Sequence, residues 1–354
     1  MNTENQQGQP PIWKRLLHLS IVVAVVGTLA FVALRVLTSQ LSQKDKPLEL
    51  GGAPVPVQSR TLRGTYLALK NLNFKLTDEI EMKVHSLVGE TIPFKKGAMT
   101  NFDDVNSFAI DIYQAEAEVD VKILQYIFNQ IVFNYEGTPL KNLKMEFINV
   151  ENDGKTEKRL KLSGDMKLVF WLGFEMIGKM YLDKENVLLI IEAESIKSLG
   201  NPMTKTMLDI VGLDLEKLLP IPRGRGLVMK ENKIIVEPFS IFPPPKIGGY
   251  LSEIKLLDNS LWLKIDNEFK VKFPPLPDPK AANYLMLYKG DVKFGKLRMI
   301  DAYLQMIDQD QKDIFDFYLK KYTRPLGFGY SKIRPDGSVL AYIPDYNDTF
   351  TKGK

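Results

Sequence analysis

Met166-Lys167-Leu168-Val169-Phe170-Trp171-Leu172-Gly173-Phe174-Glu175-Met176 shows the pattern that organises most of the chain. Met166, Leu168, Phe170, Leu172, Phe174 and Met176 share one parity, the period of a strand with one face on an apolar core. The other parity mixes Lys167 and Glu175 with Val169 and Trp171, so the stretch is apolar on parts of both faces. The same period runs outward from here. Ile80, Met82 and Val84 alternate with Glu81, Lys83 and His85; Phe108, Ile110 and Ile112 with Ser107 and Asp111; Leu143, Met145 and Phe147 with Lys144 and Glu146. Further strands are expected at 187–197, 227–236, 250–257 and 260–271, which makes a large antiparallel sheet with one apolar and one wet face. Between Leu67/Leu69 and Leu72/Phe74/Leu76 the parity shifts, and this predicts a bulge near Asn71.

Two segments carry helical spacing instead. Val121, Leu124, Phe128 and Ile131, widened by Ile127, lie on one face opposite Lys122, Gln125 and Asn129, with Asp120 placed as N-cap. Asn201 and Pro202 open a second helix whose stripe is Met203, Met207, Ile210, Val211, Leu215 and Leu218, and Pro220 ends it. A shorter helix is expected over 312–322. The fold class read from these patterns is α+β: a long curved antiparallel sheet wrapped around one or two helices, preceded by a single N-terminal transmembrane helix.

That transmembrane helix is read from Leu16–Leu34, broken only by His18, Ser20 and Thr28 and flanked by Lys14, Arg15 and Arg35. At about 1.5 Å per residue it spans about 28 Å, close to the hydrocarbon thickness of a bilayer. A cleaved signal peptide is the rival, but Ala33 and Ser39 make poor small-residue cleavage sites, with Phe31 and Leu37 two residues before them. The chain then divides into a cytoplasmic tail (1–15), an anchor (16–37), a linker (38–59), a body (60–272) and a C-terminal extension (280–354) that continues or covers the sheet. Gly51-Gly52-Ala53-Pro54-Val55-Pro56 marks the linker, and Phe273-Pro274-Pro275-Leu276-Pro277-Asp278-Pro279 marks the second boundary. Lys14 and Arg15 place the N-terminus in the cytoplasm. With no cysteine in 354 residues, the expected location is a bacterial inner membrane with the body in the periplasm.

Composition narrows the chemistry. The net charge is +4 and the Lys and Glu of the body are interspersed, the pattern of a solvated surface with no nucleic-acid stripe. Two histidines and no cysteine leave no zinc set and no cysteine nucleophile. Carboxylate pairs are weighed one by one. Asp103-Asp104 reads as a turn before it reads as acid/base machinery. Glu116, Glu118 and Asp120 share a strand face that would bind a cation or simply be a wet strand edge. Glu151-Asn152-Asp153-Gly154 reads as a hairpin tip. Arg223-Gly224-Arg225-Gly226 is the anion-binding candidate, although it lacks the Lys and Ser/Thr of a phosphate loop. No enzyme, cofactor or metal centre is expected.

The early strand pair (Leu67–Leu76, Glu79–Leu87), a helix ending Tyr126-Ile127-Phe128-Asn129-Gln130-Ile131-Val132-Phe133, further long strands and a second capped helix resemble the tubular lipid-binding (TULIP-like) superfamily over about residues 60–272. The resemblance is one of layout, without a diagnostic motif. It implies a sheet wrapped around a helix with lipid in a lengthwise groove, and it brings no catalytic residues. The extension at 280–354 and the Phe242-Pro243-Pro244-Pro245 stretch fall outside it. The function expected is a membrane-anchored, non-catalytic envelope protein that binds or transfers a lipid or acyl chain. Leu124, Ile127, Phe128, Ile131, Trp171, Met207 and Val211 are the groove candidates, and Arg223 and Arg225 the head-group candidates. The alternatives are a scaffold subunit docking an envelope protein partner and, less favoured, a carboxylate-dependent hydrolase.

Overall fold

The computed structural model describes residues 64–167, 170–199, 215–219, 221–222, 224–266 and 274–350. The described chain opens with β1 (Thr65–Lys75), β2 (Glu81–Pro93), β3 (Thr100–Asn101) and β4 (Phe108–Asp120), which leads directly into helix α1 (Val121–Ile127). Four long strands follow: β5 (Leu140–Asn152), β6 (Lys155–Lys167), β7 (Trp171–Asp183) and β8 (Leu188–Leu199). After α2 (Leu215–Leu218) come β9 (Leu227–Lys230), β10 (Lys233–Val236), β11 (Lys246–Gly249), β12 (Leu251–Leu256) and β13 (Ser260–Asp266). The C-terminal region holds β14 (Tyr284–Tyr288), β15 (Val292–Phe294), β16 (Leu297–Met299), β17 (Tyr303–Asp308), β18 (Phe315–Tyr318), α3 (Thr323–Phe328), β19 (Tyr330–Ile333) and β20 (Val339–Ile343).

These strands form three sheets. One has eleven strands, in the order β12-β13-β4-β2-β1-β14-β17-β20-β19, with β11 on β4 and β18 on β1. The second has six, β5-β6-β7-β8-β10-β9, and the third joins β16-β15-β3. The alternation seen in the sequence explains the packing. On β5, Leu143, Met145 and Phe147 are buried while Lys144 and Glu146 are exposed. Leu72, Val84, Ile110 and Val119 of the first sheet and Leu143, Leu162, Phe174 and Ile191 of the second belong to one continuous core. The wet face of the second sheet carries ion pairs: Arg159 with Glu157 on its own strand and Glu194 on β8, at 2.7 and 2.8 Å, and Lys161 with Glu175 across β6 and β7 at 3.2 Å. At the β5–β6 tip, Asp153 (φ 48°) and Gly154 (φ 73°) are both left-handed, as a two-residue hairpin turn of the primed type requires.

The α+β expectation is corrected. Strands make up 56% of the described residues, and the longest helical stretch is twelve residues, α1 followed by one π-type turn over Phe128–Val132. The body is therefore a mainly β structure of packed sheets and is not wrapped around helices. The physical reason lies in the polar face of α1. Gln125 and Asn129, which sequence spacing leaves opposite the apolar stripe, turn onto the edge of β5. Asn129 donates to the Leu143 carbonyl (2.8 Å) and accepts from the Leu143 N–H (2.8 Å), and Gln125 Oε1 accepts from the Met145 N–H (3.1 Å). The helix closes an edge strand, and the core is filled mostly by sheet.

The transmembrane part of that expectation falls on residues 16–37, outside the described residues. No helix among the described residues is long and apolar enough to cross a membrane. Of the expected second helix only Leu215–Leu218 is described.

Two local expectations are also corrected. Residues 312–322 do not form a helix, because Phe315 and Phe317 alternate as strand residues. They pair in parallel with Leu72 and Phe74, and the Phe74 and Phe317 rings stack at 5.9 Å. The helix comes later, at Thr323–Phe328. Asn71 marks no bulge. The β1–β2 register is the same on both sides of it, and the parity change comes from its left-handed backbone (φ 51°). There β1 changes its other partner, from β14 (antiparallel, residues 66–70) to β18 (parallel, residues 72–75).

Candidate functional site

The six-stranded sheet ends in an apolar rim. Lys167 pairs with Trp171 across the β6–β7 connection and Gly173 pairs with Leu199, so the start of β7 and the end of β8 lie side by side. Phe170, Trp171 and Leu199 are 47%, 38% and 52% exposed there, although each is large and apolar. Lys141 Nζ stands 4.1 Å and Lys167 Nζ 5.9 Å from the Trp171 ring. Exposed aromatic and aliphatic groups under two ammonium heads match a surface that meets an amphiphile, since an indole places its body in apolar matter and its N–H at a wet boundary.

The other groove candidates lie elsewhere in the packing. Leu124, Ile127 and Phe128 are buried in the common core, and Ile131 is half-buried against it. Met207, Val211 and Arg223 fall outside the described residues. Arg225 holds the end of the π-type turn: its guanidinium lies 4.6 Å from the Tyr135 ring and donates to the Ile131 carbonyl at 3.4 Å. The structure thus brings Arg225 to Ile131.

Four of the carboxylates weighed from sequence, Asp103, Asp104, Glu118 and Asp120, have structural partners. Glu118 accepts from Ser260 Oγ (2.9 Å) and meets His85 Nε2 at 2.8 Å. Burial pushes its carboxyl up, but these two contacts more than offset that and hold it below the usual range. Asp103 ties three segments together, through Lys293 Nζ (2.7 Å), the Gly295 N–H (2.9 Å) and the Tyr322 hydroxyl. Burial again acts upward, and again these hydrogen bonds win. Asp104 accepts the Asn106 N–H in a local turn. Asp120 caps α1 by accepting the Lys122 N–H at 2.7 Å.

No family model, curated protein or solved structure matches the chain.

One constellation was missed in sequence. Asp308 ends β17, Asp313 lies in the following loop and Asp345 follows β20; one oxygen from each lies within 4.8 Å of the others. Asp308 is 1% exposed. Its Oδ1 accepts the Asp310 N–H at 3.0 Å, and its Oδ2 is buried without a hydrogen bond. Burial, then the Asp345 carboxylate, push the Asp308 carboxyl up to about 7. Asp345 is raised to about 6, by burial first and then by Asp316, Asp313 and Asp348, against the pull of the Asp316 N–H that it accepts at 2.8 Å. The only sequence signal was the run Asp308-Gln309-Asp310-Gln311-Lys312-Asp313. Asp345 joins it because β17 and β20 pair in parallel, with Asp308 opposite Ile343.

Proposed function

We propose that this chain is a membrane-anchored, non-catalytic envelope protein whose body binds a lipid or acyl chain at the exposed apolar rim of the six-stranded sheet. The observation that carries the proposal is the Phe170–Trp171–Leu199 rim beneath Lys141 and Lys167, large apolar groups left exposed at the end of the sheet while its inner face is packed into the core. An acyl chain gains about 0.8 kcal/mol per CH₂ taken out of water, so a modest length of chain suffices for capture. The lysines then meet the polar or anionic head. Anchoring by residues 16–37, with the body in the periplasm of a bacterial inner membrane, is part of the same proposal and brings the rim to its ligand source. No nucleic-acid partner and no cofactor enter it.

Trp171→Glu tests the proposal. Trp171 is partly exposed, so the variant keeps its fold, while the added carboxylate repels both acyl chain and anionic head. Retained lipid, measured by mass spectrometry on the purified full chain, is expected to fall several-fold. Equal lipid in both proteins removes the rim from the account.

A scaffold subunit is the second possibility, and one observation favours it. β19 is the edge of the eleven-stranded sheet and all four of its residues are exposed, including Ile333. An open edge of this kind accepts a partner strand. Cross-linking from Ile333 to a stoichiometric envelope protein, in a preparation without lipid, would favour it.

A further inference from the structure

We infer that Asp308, Asp313 and Asp345 form a site for a hard divalent cation, Ca²⁺ by size, that fastens the C-terminal strands to one another. Three carboxylate oxygens converge within 4.8 Å. Two oxygens bound to one Ca²⁺ at about 2.4 Å lie at most about 4.8 Å apart, so each pair of these oxygens falls within the span of one shell. The donor set is oxygen alone, which selects Ca²⁺ or Mg²⁺ over zinc or copper.

The independent observation is the unpartnered oxygen. Asp308 is 99% buried, and its Oδ2 makes no hydrogen bond of ordinary geometry, although the neighbouring Asn283 amide draws its carboxyl down. Such a group is costly unless something positive reaches it. Among the described residues, no lysine, arginine or histidine forms an ion pair with any of the three aspartates. A cation seated between them supplies the missing charge.

The surroundings hold the ligands in place without filling the site. Asp345 Oδ1 is fixed by the Asp316 N–H (2.8 Å) and Asp308 Oδ1 by the Asp310 N–H (3.0 Å). The Asp313 carbonyl accepts from the Asn283 side chain, which in turn accepts from Asn71 at 2.6 Å. A bound ion would therefore link the ends of β17 and β20 and the loop before β18 to the turning point of β1. Three carboxylates with one exposed member fit a site of modest affinity.

Tyr346 neighbours Asp345, so the direct probe is Tb³⁺ luminescence excited through tyrosine, on the full chain in detergent after chelation. Wild type is expected to give a saturable signal displaced by Ca²⁺ and more weakly by Mg²⁺; Asp308→Asn and Asp345→Asn are expected to lose it. Should either variant fail to fold, the melting temperature of wild type alone decides. Millimolar Ca²⁺ is expected to raise it by about 2–4 °C over the chelated protein, and Mg²⁺ by less. A Tb³⁺ signal that persists in Asp308→Asn, or wild type with neither signal nor Ca²⁺-dependent melting, overturns the assignment in favour of carboxylates sharing protons.

Discussion

Asp103, which the sequence reads as a turn residue ahead of acid/base machinery, also ties that turn to distant segments. It joins the turn after β3 to the β15–β16 hairpin and to Tyr322, and Tyr322 packs edge-on against Phe294 at 5.1 Å. Asp103→Asn keeps the shape but loses the charge-assisted bond to Lys293, so it should lower unfolding stability by about 1–3 kcal/mol in urea titrations. The pH dependence has a definite sign. The folded carboxyl lies below the ordinary aspartate range, so its contribution is full above that range and is lost as pH falls through the folded value. The gap in melting temperature between wild type and Asp103→Asn should therefore be constant near neutrality and close below about pH 4. A gap independent of pH would show that the charge is not the source.

At the scale of elements, alternation was easily read and pairing was not. The β5 to β7 strands follow from Leu143/Met145/Phe147, Leu160/Leu162 and Leu172/Phe174/Met176, because a half-buried strand must repeat every two residues. The start of α1 was also legible, through Asp120. What Gln125 and Asn129 do was not, since a polar helix face gives no sign of whether it meets water or the open edge of β5. Nor was the parallel pairing of Phe315 and Phe317 with β1, which depends on residues far away in the chain. The site divides the same way: Trp171 stood out by composition, whereas Asp345 reaches Asp308 only through the β17–β20 register. Asn129→Ala should release both the N–H and the C=O of Leu143, costing about 1–2 kcal/mol at an edge that water can reach. Hydrogen exchange at Leu143 should quicken while that at Leu162, on the neighbouring strand, changes little. Unchanged exchange at Leu143 would mean the helix does not guard that edge.

For the whole molecule, residues 280–350 are built into the eleven-stranded sheet through β14, β17, β18, β19 and β20. β14 and β18 together cover the side of β1 that β2 leaves open, and Leu285, Leu287, Phe315 and Phe317 sit in the common core. A chain ending at residue 272 would expose that apolar flank and the open backbone of β1, so it should be recovered mainly as aggregate, whereas the chain through Phe350 stays dispersed. The central claim concerns the six-stranded sheet and its rim. It is tested most directly by photo-cross-linking the full chain to a phospholipid with a photoreactive acyl chain, then mapping the labelled peptides. The account predicts labels on Phe170, Trp171 and Leu199, suppressed by unlabelled phospholipid and, at Phe170 and Leu199, by Trp171→Glu. Labels confined to residues 16–37, with none on the sheet, would contradict it.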